Sequence, residues 1–202
     1  MDAIRDFSIY ALWPGRSLSR NSIPPSFITR AMYDPENHLF KDSGGIPNNP
    51  VLPLLFYPGA GSSDPEAVEA MFHRNGWPPA WRYTVYSYAH YHSTAHEVLG
   101  VYRGTAKIRL GHTAGDIFEV KAGDVIVIPA GVGHENLGSS SDFHCVGAYP
   151  PGQSADMLRG KPGERPDADE RIAKVPLPES DPVFGNDGPL TRIWKKETER
   201  GG

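Results

Sequence analysis

The chain has a single cysteine, Cys145. An intrachain disulfide framework is therefore excluded, and a reducing, cytoplasmic setting is expected. No apolar run approaches the roughly 20 residues of a membrane-spanning helix, so no membrane association is expected. Charge of one sign is not in excess either. Twenty Lys and Arg stand scattered against 24 Asp and Glu, for a formal net charge of −4. That balance carries no nucleic-acid footprint. The opening Met1-Asp-Ala-Ile-Arg-Asp lacks the basic and then apolar regions of a secretory signal. Residues 1–31 do carry Arg5, Arg16, Arg20 and Arg30 against Asp2 and Asp6. An organellar presequence is thus the alternative to a loosely draped tail.

What the chain has in plenty is glycine and proline, 22 and 20 of 202 residues. Both weaken helix interiors, which argues against a helix bundle. Disorder is excluded by a hydrophobic fraction of 39% and by four Trp, nine Tyr and eight Phe. A turn-rich, mainly β domain of this length buries a real core. Nineteen of the prolines lie before Trp81 or after Tyr149, and only Pro129 lies between. Proline cannot donate to a β-ladder, so a sheet core with wrapping arms is expected. Six of the eight histidines fall in the same block: His90, His92, His96, His112, His134 and His144.

Within the block, residues 81–92, 97–103, 105–110, 116–120, 124–128 and 142–149 read as strands. Ala106, Ile108 and Leu110 alternate with Lys107 and Arg109, the period of a half-buried strand. Many short strands at this spacing indicate an antiparallel sandwich or barrel. Ser63-Asp64-Pro65-Glu66 has the form of a capped helix start, so a helix over about 65–75 is expected. A further helical turn is expected near 154–159. The proline-bearing stretch 160–192 is expected to be irregular. The resulting division is an extension over 1–31, an arm with a short helix over 32–80, a core over 81–150 and a wrapping arm over 151–202.

The chemistry concentrates in His90-Tyr-His92-Ser-Thr-Ala-His96-Glu97. Residues two apart on a strand share a face, so His90 and His92 can share one metal. Glu97 follows past a bend. Gly123 to His134 then brings a strand, a turn with Pro129 and Gly131, and a histidine aimed back. Imidazoles with a carboxylate suit one divalent transition metal: Fe(II) foremost, or Mn, Ni, Zn or Cu. His96 is the competitor of His90 as a ligand, or a proton carrier beside the metal.

The spacing H-x-H-x4-E-x6-G, then G-x5-P-x-G-x2-H, resembles the two motifs of the cupin superfamily. The first falls on His90, His92, Glu97 and Gly104; the second falls on Gly123, Pro129, Gly131 and His134. The second motif usually continues with an asparagine four residues after its histidine, whereas here Asn136 comes two after. The strings at 40–53, 90–100 and 146–153 are similar to those of small, largely uncharacterised single-domain microbial cupins, which tend to begin near Met32. The resemblance implies an all-β, double-stranded β-helix (jelly-roll) barrel with the metal inside, one or two short helices, irregular N- and C-terminal arms, and a homodimer.

If the strand over 81–92 is unbroken, Arg82, Thr84, Tyr86 and Tyr88 share the face of the histidine pair. Arg82 and Tyr86 are then candidates to bind a small-molecule substrate, with Arg82 fixing a carboxylate. Tyr88 and His96 are candidates to move a proton. The expected activity is that of an Fe(II) dioxygenase-type oxidoreductase. A non-redox isomerase, cyclase, dehydratase or decarboxylase is the second reading, and a non-catalytic ligand-binding barrel the third.

Overall fold

The computed structural model describes residues 34–201. The extension expected over 1–31, and any presequence within it, lies outside the described residues. Nine strands form two antiparallel sheets. In chain order they are β1 (Glu36–His38), β2 (Leu54–Tyr57), β3 (Pro79–Tyr83), β4 (Glu97–Arg103), β5 (Thr105–Leu110), β6 (Asp116–Lys121), β7 (Val125–Ile128), β8 (His134–Ser139) and β9 (His144–Ala148). One sheet runs β1-β2-β7-β4-β9-β3 and the other β6-β5-β8. The fold is thus mainly β. Leu99 and Ile126 from the larger sheet share one core with Ala106, Ile108, Leu110 and Val120 from the smaller. The alternation read from β5 therefore points its apolar side into the barrel.

The centre of the larger sheet is buried on both faces, which explains the unbroken apolar run of β7. Ile126 and Ile128 point into the barrel, whereas Val125 and Val127 face outward onto helices. One of those helices is α1 (Pro65–Arg74), where the sequence places it; the Asp64 carboxylate accepts from the Glu66 N–H at its start. Val68 and Phe72 of α1 pack on Val98 and Val146. Gly100 allows this approach: a Cβ there would lie 2.6 Å from the Val68 Cγ1 and 2.9 Å from the Phe72 ring.

The arms are less irregular than expected. β1 and β2 lie in the segment read as an arm, and they extend the larger sheet beside β7. No helix forms over 154–159. Instead α2 (Asp167–Lys174) and α3 (Pro189–Gly201) lie in the C-terminal region read as irregular. The prolines there mark boundaries and do not interrupt turns. Pro166 precedes α2 and Pro189 opens α3, positions where a missing N–H costs nothing. Among the described residues there are thus three α-helices, one more than expected. Trp194 of α3 is fully buried against the outer face of the sheet and donates its indole N–H to the Pro53 carbonyl at 2.9 Å.

Asp181 anchors this region. It is fully buried, and its carboxylate accepts from the Tyr57 hydroxyl at 2.7 Å. It also accepts from the backbone N–H groups of Val183, Phe184 and Leu190 at 2.8–3.0 Å. Burial and the adjacent carboxylate push the Tyr57 phenol far above its ordinary range. Asp181 thereby ties the strand carrying Tyr57 to the first turn of α3.

The largest departure from expectation is the segment after β3. The strand expected over 81–92 ends at Tyr83. The chain then leaves β9 and crosses to the smaller sheet. The Tyr86 carbonyl accepts from the Asn136 N–H at 2.8 Å, and His90 and His134 exchange backbone hydrogen bonds at 3.2 and 2.9 Å. Residues 84–92 therefore span the mouth of the barrel between the sheets, and strand parity from Arg82 onward is lost.

Candidate metal centre

Four side chains meet at the inner end of this crossing. His90 and His92 come from the crossing itself, Glu97 opens β4 and His134 opens β8. Glu97 shares the inward parity of Leu99 and Val101. His134 follows a turn whose Gly131 adopts φ 93°, with the Asn48 carbonyl oxygen 2.9 Å from where a Cβ would stand. Only glycine fits both demands. All four side chains are buried. One ring nitrogen from each of His90, His92 and His134 lies within 4.8 Å of the others.

The hydrogen bonds fix the tautomers. The Nδ1 of His90 lies 3.1 Å from the Tyr88 carbonyl, and that of His134 lies 3.1 Å from the Val132 carbonyl. The Nδ1 of His92 contacts the Asp156 carbonyl. A carbonyl only accepts, so each Nδ1 carries the proton and each Nε2 presents a lone pair. The Glu97 Oε2 lies 3.4 Å from the Nε2 of His92 and 3.3 Å from that of His134. Lone pairs and a carboxylate gathered in a buried site require a cation among them. Neutral imidazoles held through the other nitrogen are the usual form of histidine metal ligands. The residues thus fit a divalent ion on His90, His92 and His134, with Glu97 alongside.

Without a metal, a proton takes that place. Burial lowers the His92 imidazole, but the Glu97 charge and hydrogen bonds outweigh it, and its pKa ends above the ordinary range. Burial and the neighbouring imidazoles depress His90 to about 3. Burial raises Glu97, but His92 and His134 overcome it and hold the carboxyl well below its usual range. A raised imidazole contributes stability present below the unfolded pKa and lost as pH rises through the folded one. Metal binding runs the other way, because the ligands must be deprotonated. We therefore expect the rise in Tm on adding Zn(II) to grow between pH 5.5 and 8. Thermal unfolding with and without the ion checks this, and a rise independent of pH would contradict the ligand set.

A cavity of about 500 Å³ opens onto this cluster. Trp81, Tyr83, Val85, Tyr86, Leu99 and Met157 form its apolar walls. Tyr149 also lines it; its hydroxyl accepts from the Trp81 indole N–H at 3.0 Å. Burial and the Glu97 charge push the Tyr149 phenol far up, so it remains protonated.

The structure brings His90, His92, Glu97 and His134 together and sets Tyr86 on the cavity wall. It does not bring Arg82, Tyr88 or His96 to the cavity. Arg82 points outward, where its Nη1 donates to Glu66 at 3.0 Å and its Nη2 to Glu69 at 2.7 Å. Two carboxylates of α1 thus occupy the guanidinium expected to clamp a substrate. Tyr88 stands behind Tyr86, the two rings stacked at 4.9 Å. His96 faces away from the cavity, 4.7 Å from the Trp194 ring. Its Nδ1 accepts from the Ala130 N–H at 3.0 Å, and burial lowers it to about 3. It supports the turn that carries His134 and is placed to move no proton in the cavity. Glu135 pairs with Arg109 at 2.8 Å. Cys145 is buried in the barrel core, where burial pushes its thiol up.

Sequence reasoning missed Trp81, Tyr149 and Asp156. Tyr149 had a signal, since it continues the inward parity of Cys145 and Gly147. Asp156 had none. Its carbonyl holds His92 and its carboxylate accepts from the Ser93 N–H and hydroxyl at 2.6 and 2.5 Å, contacts made across more than 60 residues.

Residues 86–148 match the family model described as Cupin. The chain is 45% identical over 161 residues to the uncharacterized protein YjlB of Bacillus subtilis (strain 168), covering 80% of this chain and 97% of that one. A Klebsiella pneumoniae conserved protein with a double-stranded β-helix domain aligns at 17% identity and a TM-score of 0.31, over 77% of this chain and 100% of that one. Streptomyces albus HEPD, solved with 2-hydroxyethylphosphonate and Fe(II), aligns at 12% identity and a TM-score of 0.27, over 70% of this chain and 23% of that one.

Proposed function

Because this chain belongs to the cupin family, we propose that it is a metal-dependent enzyme acting on a small organic molecule, as an Fe(II) oxidoreductase of dioxygenase type. The observation that carries this reading is the set of three imidazoles, each pinned through Nδ1 to a backbone carbonyl so that its Nε2 faces a common point. Three nitrogen donors and a carboxylate suit Fe(II) and leave coordination positions for other groups. A bound ion would supply Lewis acidity and, as iron, electron transfer toward O₂. The chain's own residues do the rest. The apolar walls exclude water from the substrate. Glu97, ionised and buried, holds negative charge beside the ligands. Tyr149, its hydroxyl fixed by Trp81, offers a proton or hydrogen bond at Oη.

The non-redox reading draws support from the same pair, because an ionised carboxylate and a protonated phenol in one cavity suit isomerisation or lyase chemistry. Oxygen separates the two. Protein purified without chelators and loaded anaerobically with iron is expected to hold about one metal per chain and to consume O₂ with a turned-over substrate. Turnover under strict anaerobiosis would replace the first reading with the second. Metal at background level in elemental analysis would sink both.

A further inference from the structure

We propose that the molecule handled at this centre is aromatic, or an equally flat unsaturated ring, bearing one donor group that reaches the histidine cluster. The inference rests on the metal reading above and names the substrate class. Three observations carry it.

First, the cavity has a polar floor and apolar walls with no fixed cation. Among its lining residues the only formally charged side chain is Glu97, at the floor. Arg82 is consumed by Glu66 and Glu69, and Arg159 stands outside the lining, over the Tyr88 ring. A polyanionic substrate would thus find no cationic partner within the lining, whereas one donor at the floor and an uncharged body along the walls fit. Second, large apolar side chains are left open to solvent here. Seven are exposed among the described residues, and three of them, Tyr83 at 56%, Tyr86 at 41% and Met157 at 46%, line this cavity. Exposed apolar groups gathered at one opening mark a binding surface.

Third, the flat faces are held in place before any ligand arrives. Tyr86 is backed by Tyr88 at 4.9 Å with an interplanar angle of 13°, and the Arg159 guanidinium lies 3.9 Å from the Tyr88 ring centroid on that stack. The Trp81 indole lies against Gly147, where a Cβ would come within 2.1 Å of the ring, and its N–H is tied to Tyr149. Rigid aromatic faces lose little conformational entropy on binding. They also favour a ring over an aliphatic body of equal size through stacking and edge contacts.

The test uses full-length protein loaded with Zn(II), which avoids turnover, and matched probes carrying the same donor. Benzoate is expected to bind roughly three- to tenfold more tightly than cyclohexanecarboxylate in calorimetry, the range expected for one aromatic pair. Trp81→Leu and Tyr86→Leu should each lower that ratio, and together bring it close to one, while bound zinc, measured on the same samples, stays at the wild-type level. Tyr86 is exposed enough for its variant to fold if the Trp81 variant does not. A wild-type ratio at or below one would overturn the proposal. So would a ratio that neither substitution changes, or malonate binding as tightly as benzoate. If the protein takes up no zinc, the metal reading fails on its own. The ring preference is then read with the uncharged pair phenol and cyclohexanol, where equal affinities would overturn it.

Discussion

Replacing His92 by Ala is expected to abolish stoichiometric metal binding while the barrel remains folded. The expectation follows from geometry on both sides of the ring. Nε2 is one of three nitrogens within 4.8 Å of one another, and Nδ1 is held by the Asp156 carbonyl. Loss of a group that merely orients a ligand costs about 10–100-fold in metal affinity. Loss of the ligand itself should exceed that, so bound metal is expected to fall well below one per chain. His134→Ala should behave alike. His96→Ala should keep its metal, because that ring lies against Trp194 and supports a turn. Elemental analysis of the three variants beside wild type, with circular dichroism to verify folding, decides the assignment. Metal retained in His92→Ala and lost in His96→Ala would reverse it.

The second large effect concerns stability. Asp181→Ala is expected to destabilise the protein by about 3–5 kcal/mol, because four buried donors lose one shared acceptor. The Tyr57 hydroxyl and three backbone N–H groups converge on this carboxylate, and the site is closed to water. For a domain of this size that corresponds to a fall in Tm of roughly 6–20 °C. It would consume a large part of a typical total stability of about 5–15 kcal/mol. Tyr57→Phe removes one donor and leaves three, so its cost should be near 1 kcal/mol. Thermal and urea unfolding of both variants gives the comparison, and equal losses would show that Asp181 is not the hub.

The sequence carried much of this structure, for identifiable reasons. Ala106, Ile108 and Leu110 revealed their strand because one face is solvated and the other buried. The residues that meet at the site were legible because motif spacing is local: His90, His92 and Glu97 lie within eight positions, and His134 follows its own turn. Arg82 was misread because the break after Tyr83 has no local cause. Residues 84–92 lack glycine and proline, and the chain leaves β9 only because β8 offers Asn136 and His134 as new partners. The helices near the C-terminus were hidden for the opposite reason. Proline frequency was read as irregularity, although Pro166 and Pro189 stand where helices begin. Asp156 could not be found at all, since its value lies in contacts with residues far away in the chain.

Glu97 begins a strand of the six-stranded sheet and His134 begins a strand of the three-stranded one. An ion gripped by both would act as a rivet between the two sheets, set at one end of the barrel only. The other end is already fastened by the chain itself, which crosses between the sheets at Gly104, over 122–124 and over 140–143. The barrel would then be a clasp hinged by its own backbone at one end and closed by the ion at the other, so that removing the ion would loosen first the end that does chemistry.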